Sequence, residues 1–357
     1  MLEPQSLRTD IIALLDRGVL PLSDEAFNSL ALRVFDFQFH NNTPYRKYCQ
    51  RRISGASAVT RWQEIPAVPT AAFKEAQLVA GDAARAQAIF RTSGTTRGAE
   101  KRGVHYVLDL ELYERSLLPT FRKYVLAERT RLPMVSLVGS ARQHPDSSLS
   151  YMVTIVMEQL GTTDSWFAVD DRGLRVDELA SWLRHASAAE QPVCIMGTSL
   201  AFLHWFDQLR AGGSTFQLAR DSVIMDTGGF KGSERSVTAE QLRVQYTELL
   251  GVPQSNAVNE YGMTEMLSQF YDDRGIKAGP PWVRSMVVDP ETLEELPFGE
   301  SGLLRHVDLA NLYSVSAIQT EDLGRLSGNG LELLGRVAGA APRGCSIAMD
   351  LFLSAAR

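Results

Sequence analysis

The sequence predicts an α/β protein: a largely parallel sheet flanked by helices, followed by a β-rich subdomain. Three observations predict it. Between residues 88 and 258, short apolar runs alternate with amphipathic helical stretches, the pattern of βαβ units. From Val283 onward the texture changes to short strands and turns. Hydrophobic residues make up 45% of the chain, enough for a substantial core and too many for disorder.

The N-terminal part reads as helical. Leu7, Ile11, Leu14 and Leu15 recur at helical spacing, and Ser23-Asp24-Glu25 begins a second helix carrying Phe27, Leu30, Val34 and Phe37. Asn41-Asn42-Thr43-Pro44 stops it, and Tyr45, Tyr48 and Cys49 fit a short third helix. Pro66 and Pro69 bracket an extended connection. Ala88-Ile89-Phe90 is a short strand ahead of a glycine loop. Helices are then expected at 109–124, 149–160, 176–185, 200–209 and 239–250. Strands are expected at 134–138, 166–169, 193–197, 222–225 and 257–258, then at 283–288, 302–307 and 331–334. Organisation follows as a helical region over 1–84, a core over 85–334 and a short C-terminal segment over 335–357. No internal repeat is visible.

A formal net charge of −6 argues against a nucleic-acid footprint, which shows as a basic excess. No apolar run approaches the roughly 18–20 residues of a membrane span. The polar, acidic start Met1-Leu2-Glu3-Pro4-Gln5 predicts no signal peptide. Cys49, Cys194 and Cys345 do not form a disulfide framework, so a cytoplasmic location is expected.

The chemistry concentrates in a few stretches. Phe90-Arg91-Thr92-Ser93-Gly94-Thr95-Thr96-Arg97-Gly98 is rich in glycine and hydroxyls, which let a backbone approach an anion and supply donors to it. Lys101 and Arg102 follow within reach of a polyphosphate. A plain solvated loop fits the same residues, and the stretch is not a Walker motif. Asp226-Thr227-Gly228-Gly229-Phe230-Lys231-Gly232 follows a strand, where an α/β sheet opens its ligand crevice or simply turns into a helix. Asn259-Glu260-Tyr261-Gly262-Met263-Thr264-Glu265 offers an aromatic face for a base, a hydroxyl for a phosphate and a carboxylate for magnesium; a capped helix start is the alternative. Gln319-Thr320-Glu321-Asp322-Leu323-Gly324-Arg325 places acidic groups suited to ribose hydroxyls. Gly335-Arg336 and then Arg343-Gly344-Cys345 close the series. The histidines show no metal-ligand spacing.

In this order these stretches resemble the adenylate-forming enzymes, the acyl-CoA synthetase superfamily. That family's phosphate loop, Thr-Ser-Gly-Thr-Thr-Gly, is matched by Thr92 to Gly98 with Arg97 inserted. Its Tyr-Gly-x-Thr-Glu motif is present at Tyr261 to Glu265, and its Thr-Gly-Asp motif is matched loosely by Thr320-Glu321-Asp322. Only 22 residues follow Gly335, too few for the superfamily's C-terminal lysine-bearing domain, which is therefore expected to be much reduced. That ending, with Asp146-Ser147-Ser148-Leu149-Ser150 and Gly228 to Gly232, is similar to the LuxE-type acyl-protein synthetase branch.

The resemblance implies a Mg²⁺- and ATP-dependent ligase working on a carboxylic acid, a long fatty acid in that family. Thr92, Ser93, Gly94, Thr95 and Thr96, helped by Lys101 or Arg102, would hold the β- and γ-phosphates, with His105 nearby. Glu265 would bind the metal, Thr264 the α-phosphate and Tyr261 the adenine face. Asp322 would accept from the ribose hydroxyls. Gly228 and Gly229 would line the pocket, Gly262 belongs to the motif, and Lys231, Arg325 and Arg336 are candidate α-phosphate cations. Cys345 would then take the acyl group as a thioester and hand it to a partner acyl reductase. From the residues alone, a thiolate favoured by Arg343 on a loosely held terminus fits that role, and a small packed side chain is the alternative. Two competing readings stand beside this one: a coenzyme A or carrier-protein ligase with a structural Cys345, and a non-catalytic nucleotide- or acyl-binding scaffold. Homo- or hetero-oligomerisation and acid chain length are left open.

Overall fold

The computed structural model describes residues 4–93, 101–127, 129–228, 237–273, 275–328, 330–337 and 343–356. One 12-stranded mixed sheet organises them. Its parallel half runs Ala257–Tyr261, Val223–Thr227, Cys194–Thr198, Met134–Ser136 and Trp166–Phe167. Its antiparallel half continues from the other edge of Ala257–Tyr261 through Phe270–Asp273, Ile276–Ala278, Gly330–Arg336, Ala317–Ser327, Ser301–Asp308 and Val283–Val288. The short strand Val68–Pro69 pairs in parallel with Ala317–Ser327. The β-rich tail thus extends the same sheet, and Ala257–Tyr261 is the strand at which pairing changes sense.

Side-chain alternation divides the parallel half between two cores. Met134, Cys194, Met196, Val223 and Met225 face the core shared with helices Leu110–Tyr124 and Ser148–Leu160. Val135, Ile195 and Ile224 face the other, under Val176–Ala188, Ser199–Ala211 and Ala239–Leu250. Every residue of Val223–Thr227 is buried, as expected of a strand covered on both faces.

The first helices form as their sequence requires. Ser23 caps Asp24–Asn41 by accepting from the Ala26 N–H. Asn42 then ends that helix and caps Thr43–Cys49 by accepting from Tyr45. Thr238 and Gln241 form a reciprocal capping box on Ala239–Leu250, which ends at Gly251 with φ +70°.

The structure departs from expectation in several places, among them the unexpected strands Val104–Val107 and Ala317–Ser327. The run 166–169 splits, with Trp166–Phe167 joining the sheet while Val169–Asp170 pairs with Gly173–Leu174 in a separate ribbon. Phe270–Asp273 and Ile276–Ala278 are strands that the polar residues around them obscured. The C-terminal segment is not a loosely held tail but a helix, Arg343–Ala356. It is docked through Phe352, whose ring lies 5.6 Å from that of Tyr48, and through Arg51, which donates to the Ser354 carbonyl at 2.8 Å. Among the described residues no helix is long and apolar enough to cross a membrane.

Candidate active site

The residues that open the glycine loop follow a separate two-stranded hairpin. Ala88–Arg91 pairs with Val104–Val107, and Thr92 extends the pairing: its N–H donates to the Gly103 carbonyl at 3.0 Å, and its hydroxyl accepts from the Gly103 N–H at 2.9 Å. Thr92 is therefore held in place and Ser93 follows it exposed, whereas Gly94, Thr95 and Thr96 lie outside the described residues, as do Gly229 and Lys231. Arg102 anchors this base. Its guanidinium donates to the Thr92 carbonyl (2.5 Å), the Arg91 carbonyl (3.3 Å) and Asp146 Oδ2 (2.8 Å), while the Asp146 carbonyl accepts from the Arg91 N–H. The planar fork of arginine suits this three-way contact better than a lysine ammonium. Lys101 is exposed, with Nζ 3.4 Å from Glu75.

His105 has a different place from the phosphate-facing one expected. Its ring is buried against the edge of Phe73, and Nδ1 lies 2.7 Å from the Thr264 carbonyl. Burial pushes its pKa down to about 4, so it stays neutral at ordinary pH and donates from Nδ1 to that carbonyl. It ties the strand after the glycine loop to the segment after Tyr261.

Tyr261 ends the strand at which the sheet changes sense, so it emerges where open α/β sheets bind ligands. It does not start a helix. Its hydroxyl donates to Asp322 Oδ2 at 3.0 Å and meets His306 Nε2 at 3.2 Å. Gly262 is required there, because a Cβ would stand 2.4 Å from Glu260 Oε1, and that carboxyl is itself held by the Thr227 hydroxyl. Glu265 is buried, and burial raises its pKa to about 7. Arg336 pulls the value down, and Asp322 and Glu321 push it up. Arg336 lies opposite Asp322 on the neighbouring strand and holds Glu321 at 2.6 Å. Tyr261, Glu265, Asp322 and Arg336 therefore share one electrostatic neighbourhood. Gly228 sits at φ +77°, a conformation that disfavours a side chain, and its carbonyl accepts from Ser199 at 3.2 Å.

Cys345 lies in the first turn of the C-terminal helix, buried beside Met286, Val288 and Leu303. Its thiol approaches the Thr320 carbonyl at 4.0 Å, two residues before Asp322 on the same strand. A cavity of about 220 Å³ adjoins it, lined by Thr70, Gln319, Glu321, Cys345, Met349 and Asp350. Burial pushes the thiol up to about 11, Glu321 pushes the same way, and Arg305 opposes them. The cation acting on the thiol is thus Arg305 rather than the expected Arg343, and in this arrangement the group is a thiol rather than a thiolate. Cys49 and Cys194 are wholly buried.

Sequence reading missed Ser285 and His306, which meet the site at Tyr261, and a buried network beneath it. In that network Asp226 accepts from Tyr246 (2.8 Å) and Asn259 (2.7 Å), and Lys277 reaches the Asn259 carbonyl (2.7 Å) and Asp272 (3.0 Å). These partners lie many residues apart and carry no local pattern. Among the described residues no three His, Cys, Asp or Glu side chains gather as a metal cage. A single buried carboxylate, Glu265, fits Mg²⁺, which takes one or two protein carboxylates and completes its shell with phosphate and water.

Comparison with known proteins gives a consistent picture. The family described as acyl-protein synthetase, LuxE, matches residues 15–353. A long-chain-fatty-acid–luciferin-component ligase of Vibrio harveyi is 24% identical over 89% of this chain and 85% of its own length. The protein of the same description from Aliivibrio fischeri is 25% identical over 91% of this chain and 88% of its own length. In fold, the chain is similar to a 2-hydroxyisobutyryl-CoA ligase crystallised with 2-HIB-AMP and CoA. The TM-score is 0.68 at 14% identity, covering 92% of this chain and 79% of that one. The same ligase in its postadenylation state gives 0.69 at 14% identity over 90% and 70%.

Proposed function

This chain belongs to the acyl-protein synthetase (LuxE) family, and on that premise we propose that it activates a long-chain fatty acid with ATP and Mg²⁺ and then carries the acyl group on Cys345. The observation that carries this reading is the position of Cys345 against Thr320, on the strand whose Asp322 accepts from Tyr261 at the candidate nucleotide site.

In the first half-reaction a carboxylate oxygen attacks the α-phosphorus of ATP, the bond to the β-phosphate bridging oxygen breaks, and pyrophosphate leaves. Charge accumulates around the phosphates, so fixed donors and cations aimed at them lower the barrier. Thr92 and Ser93, with Gly94, Thr95 and Thr96, cover the β- and γ-phosphates, and Lys101 adds an exposed cation. Arg102 holds the loop base in place. Thr264 meets the α-phosphate, Tyr261 the adenine and Asp322 the ribose, while Gly228 and Gly229 line the pocket. Among the described residues Arg336, opposite Asp322, is assigned to the α-phosphate. Bound Mg²⁺ would neutralise phosphate charge, and Glu265 would hold it.

In the second half-reaction the Cys345 sulfur attacks the acyl carbon, a C–S bond forms, the C–O bond to AMP breaks, and AMP leaves. The thiol proton passes to solvent or to Glu321. The thioester then serves a partner acyl reductase.

Intact-protein mass after incubation with ATP, Mg²⁺ and saturated fatty acids tests the reading. A hydroxylamine-labile acyl mass is expected on the parent and absent from Cys345→Ser. Pyrophosphate release with no acyl mass on either protein would move the acceptor to coenzyme A or a carrier. No nucleotide turnover with any acid would favour a scaffold.

A further inference from the structure

Behind Tyr261 and Asp322 stand two polar groups, the fully buried His306 and the half-buried Ser285, that the mechanism above does not use. Ser285 and His306 face each other across neighbouring antiparallel strands, with Oγ and Nδ1 2.8 Å apart. His306 Nε2 lies 3.2 Å from the Tyr261 hydroxyl, which lies 3.0 Å from Asp322 Oδ2. We infer that Ser285, His306 and Tyr261 form a one-directional hydrogen-bond relay that fixes the Asp322 carboxylate for the ribose of the bound nucleotide. Ser285 and His306 are positioning residues in it.

The direction follows from the donor and acceptor inventory. An ionised carboxylate only accepts, so Tyr261 must donate to Asp322. The Tyr261 oxygen is then left to accept, and His306 supplies the proton from Nε2. His306 is fully buried, which pushes its pKa down to about 4, so the ring is neutral and Nδ1 is bare. Ser285 fills that acceptor. Each group has one role, and the histidine tautomer is set by the serine, as second-shell partners set ligand orientation elsewhere. Packing supports the same geometry: the rings of Phe270 and His306 lie 5.7 and 5.8 Å from that of Tyr261.

The inference rests on the reading of Asp322 as the ribose acceptor, and the test separates the two. Equilibrium dissociation constants for ATP and 2′-deoxy-ATP would be measured on the full chain and on variants. A site built to bond a hydroxyl discriminates against the ligand lacking it. The parent is expected to prefer ATP, and Asp322→Asn to lose most of that preference. His306→Phe and Tyr261→Phe are each expected to narrow the preference about tenfold, and the double variant no further than either alone. Ser285→Ala leaves the ring in place and narrows it about threefold, which keeps the test open should His306→Phe fail to fold. His306→Gln keeps an N–H near the Nε2 position and retains most of the preference. Equal loss of both nucleotides in the His306 and Ser285 variants, or additive effects with Tyr261→Phe, would overturn the relay while Asp322 stands. No narrowing in Asp322→Asn would overturn the ribose reading and the relay with it.

Discussion

The thiol of Cys345 points at the Thr320 carbonyl from 4.0 Å away, inside the fold and in the first turn of the last helix. A group proposed as an acyl acceptor is therefore stored as a poor nucleophile. With its pKa pushed up to about 11, roughly one thiol in a thousand is ionised at pH 8.

Loosening that first turn should release the thiol. Gly344 donates to the Pro290 carbonyl at 2.9 Å, and a Cβ on it would stand 2.7 Å from the same oxygen and 2.8 Å from Leu293. Gly344→Ala cannot keep both contacts. Alkylation of Cys345 by iodoacetamide at pH 8, followed by peptide mass, is expected to be slow in the parent and at least about tenfold faster in Gly344→Ala. Cys49 and Cys194, wholly buried, serve as unreactive controls in both. Equal rates would mean that helix docking does not silence the thiol.

Glu265 makes a prediction about pH. Its folded pKa, raised by burial to about 7 from the usual 4.5, means that the folded state holds a proton where the unfolded state has lost it. Stability therefore falls as pH rises from about 4.5 to 7, and the penalty is complete above that. Glu265→Gln removes it, by at most about 3 kcal/mol at pH 8 and by little at pH 4.5. Urea unfolding of both proteins at the two pH values measures the difference, which isolates Glu265 from Glu260 and Asp308, buried carboxyls shifted the same way. The same variant should lose Mg²⁺-dependent pyrophosphate release. A Gln variant no more stable than the parent at pH 8 would show that the carboxyl is not held in the uncompensated state described.

Arg102 and Asp146 are each about two-fifths exposed, so their ion pair contributes only about 0.2–1 kcal/mol to stability. Its effect should fall on the loop instead, since the same guanidinium holds the Thr92 and Arg91 carbonyls. Arg102→Ala is expected to shift the melting temperature by no more than a few degrees, yet to weaken ATP binding about tenfold. Asp146→Asn, which leaves the two carbonyl contacts, should weaken binding less. Isothermal titration beside a thermal melt reads both, and a large melt shift with unchanged affinity would reverse the assignment.

How much of this was legible beforehand depended on whether the signal was local. The helix Ala239–Leu250 and the strand Val283–Val288 have the expected bounds, because a capping box, a terminal glycine and a continuous apolar run act over a few residues. Tyr261, Glu265 and Asp322 could be singled out by motif, and the structure gathers them. Lys277 could not: a lysine in a short polar stretch reads as a loop, and its burial is made tolerable by Asp272 and by the carbonyl and side-chain oxygens of Asn259. His306 looked unremarkable for the same reason, since its partners are Ser285 and Tyr261, 21 and 45 residues away. The C-terminal helix was hidden by Gly344 and by its dependence on Tyr48, nearly the whole chain away. Helices this short take their stability from packing rather than from their own sequence.

Glu321 and Arg305 act on Cys345 with opposite sign, which allows a paired test of the thiol's electrostatics. Glu321 raises the thiol pKa and Arg305 lowers it. Glu321→Gln should therefore move the midpoint of the Cys345 alkylation profile to lower pH, and Arg305→Gln should move it to higher pH, each by about one unit or less. The two changes differ in structural cost. Glu321 pairs with Arg336 on a partly exposed edge, so its loss should cost about 0.2–1 kcal/mol. Arg305 is half-buried and donates to Gln319 (2.9 Å) and to the Leu293 carbonyl (3.1 Å), so its removal strands partly buried acceptors and costs about 1–3 kcal/mol. Mass-detected alkylation between pH 8 and 11, with urea unfolding alongside, reads both effects. Shifts in the same direction in the two variants would mean that loosened packing, and not charge, governs the reactivity of Cys345.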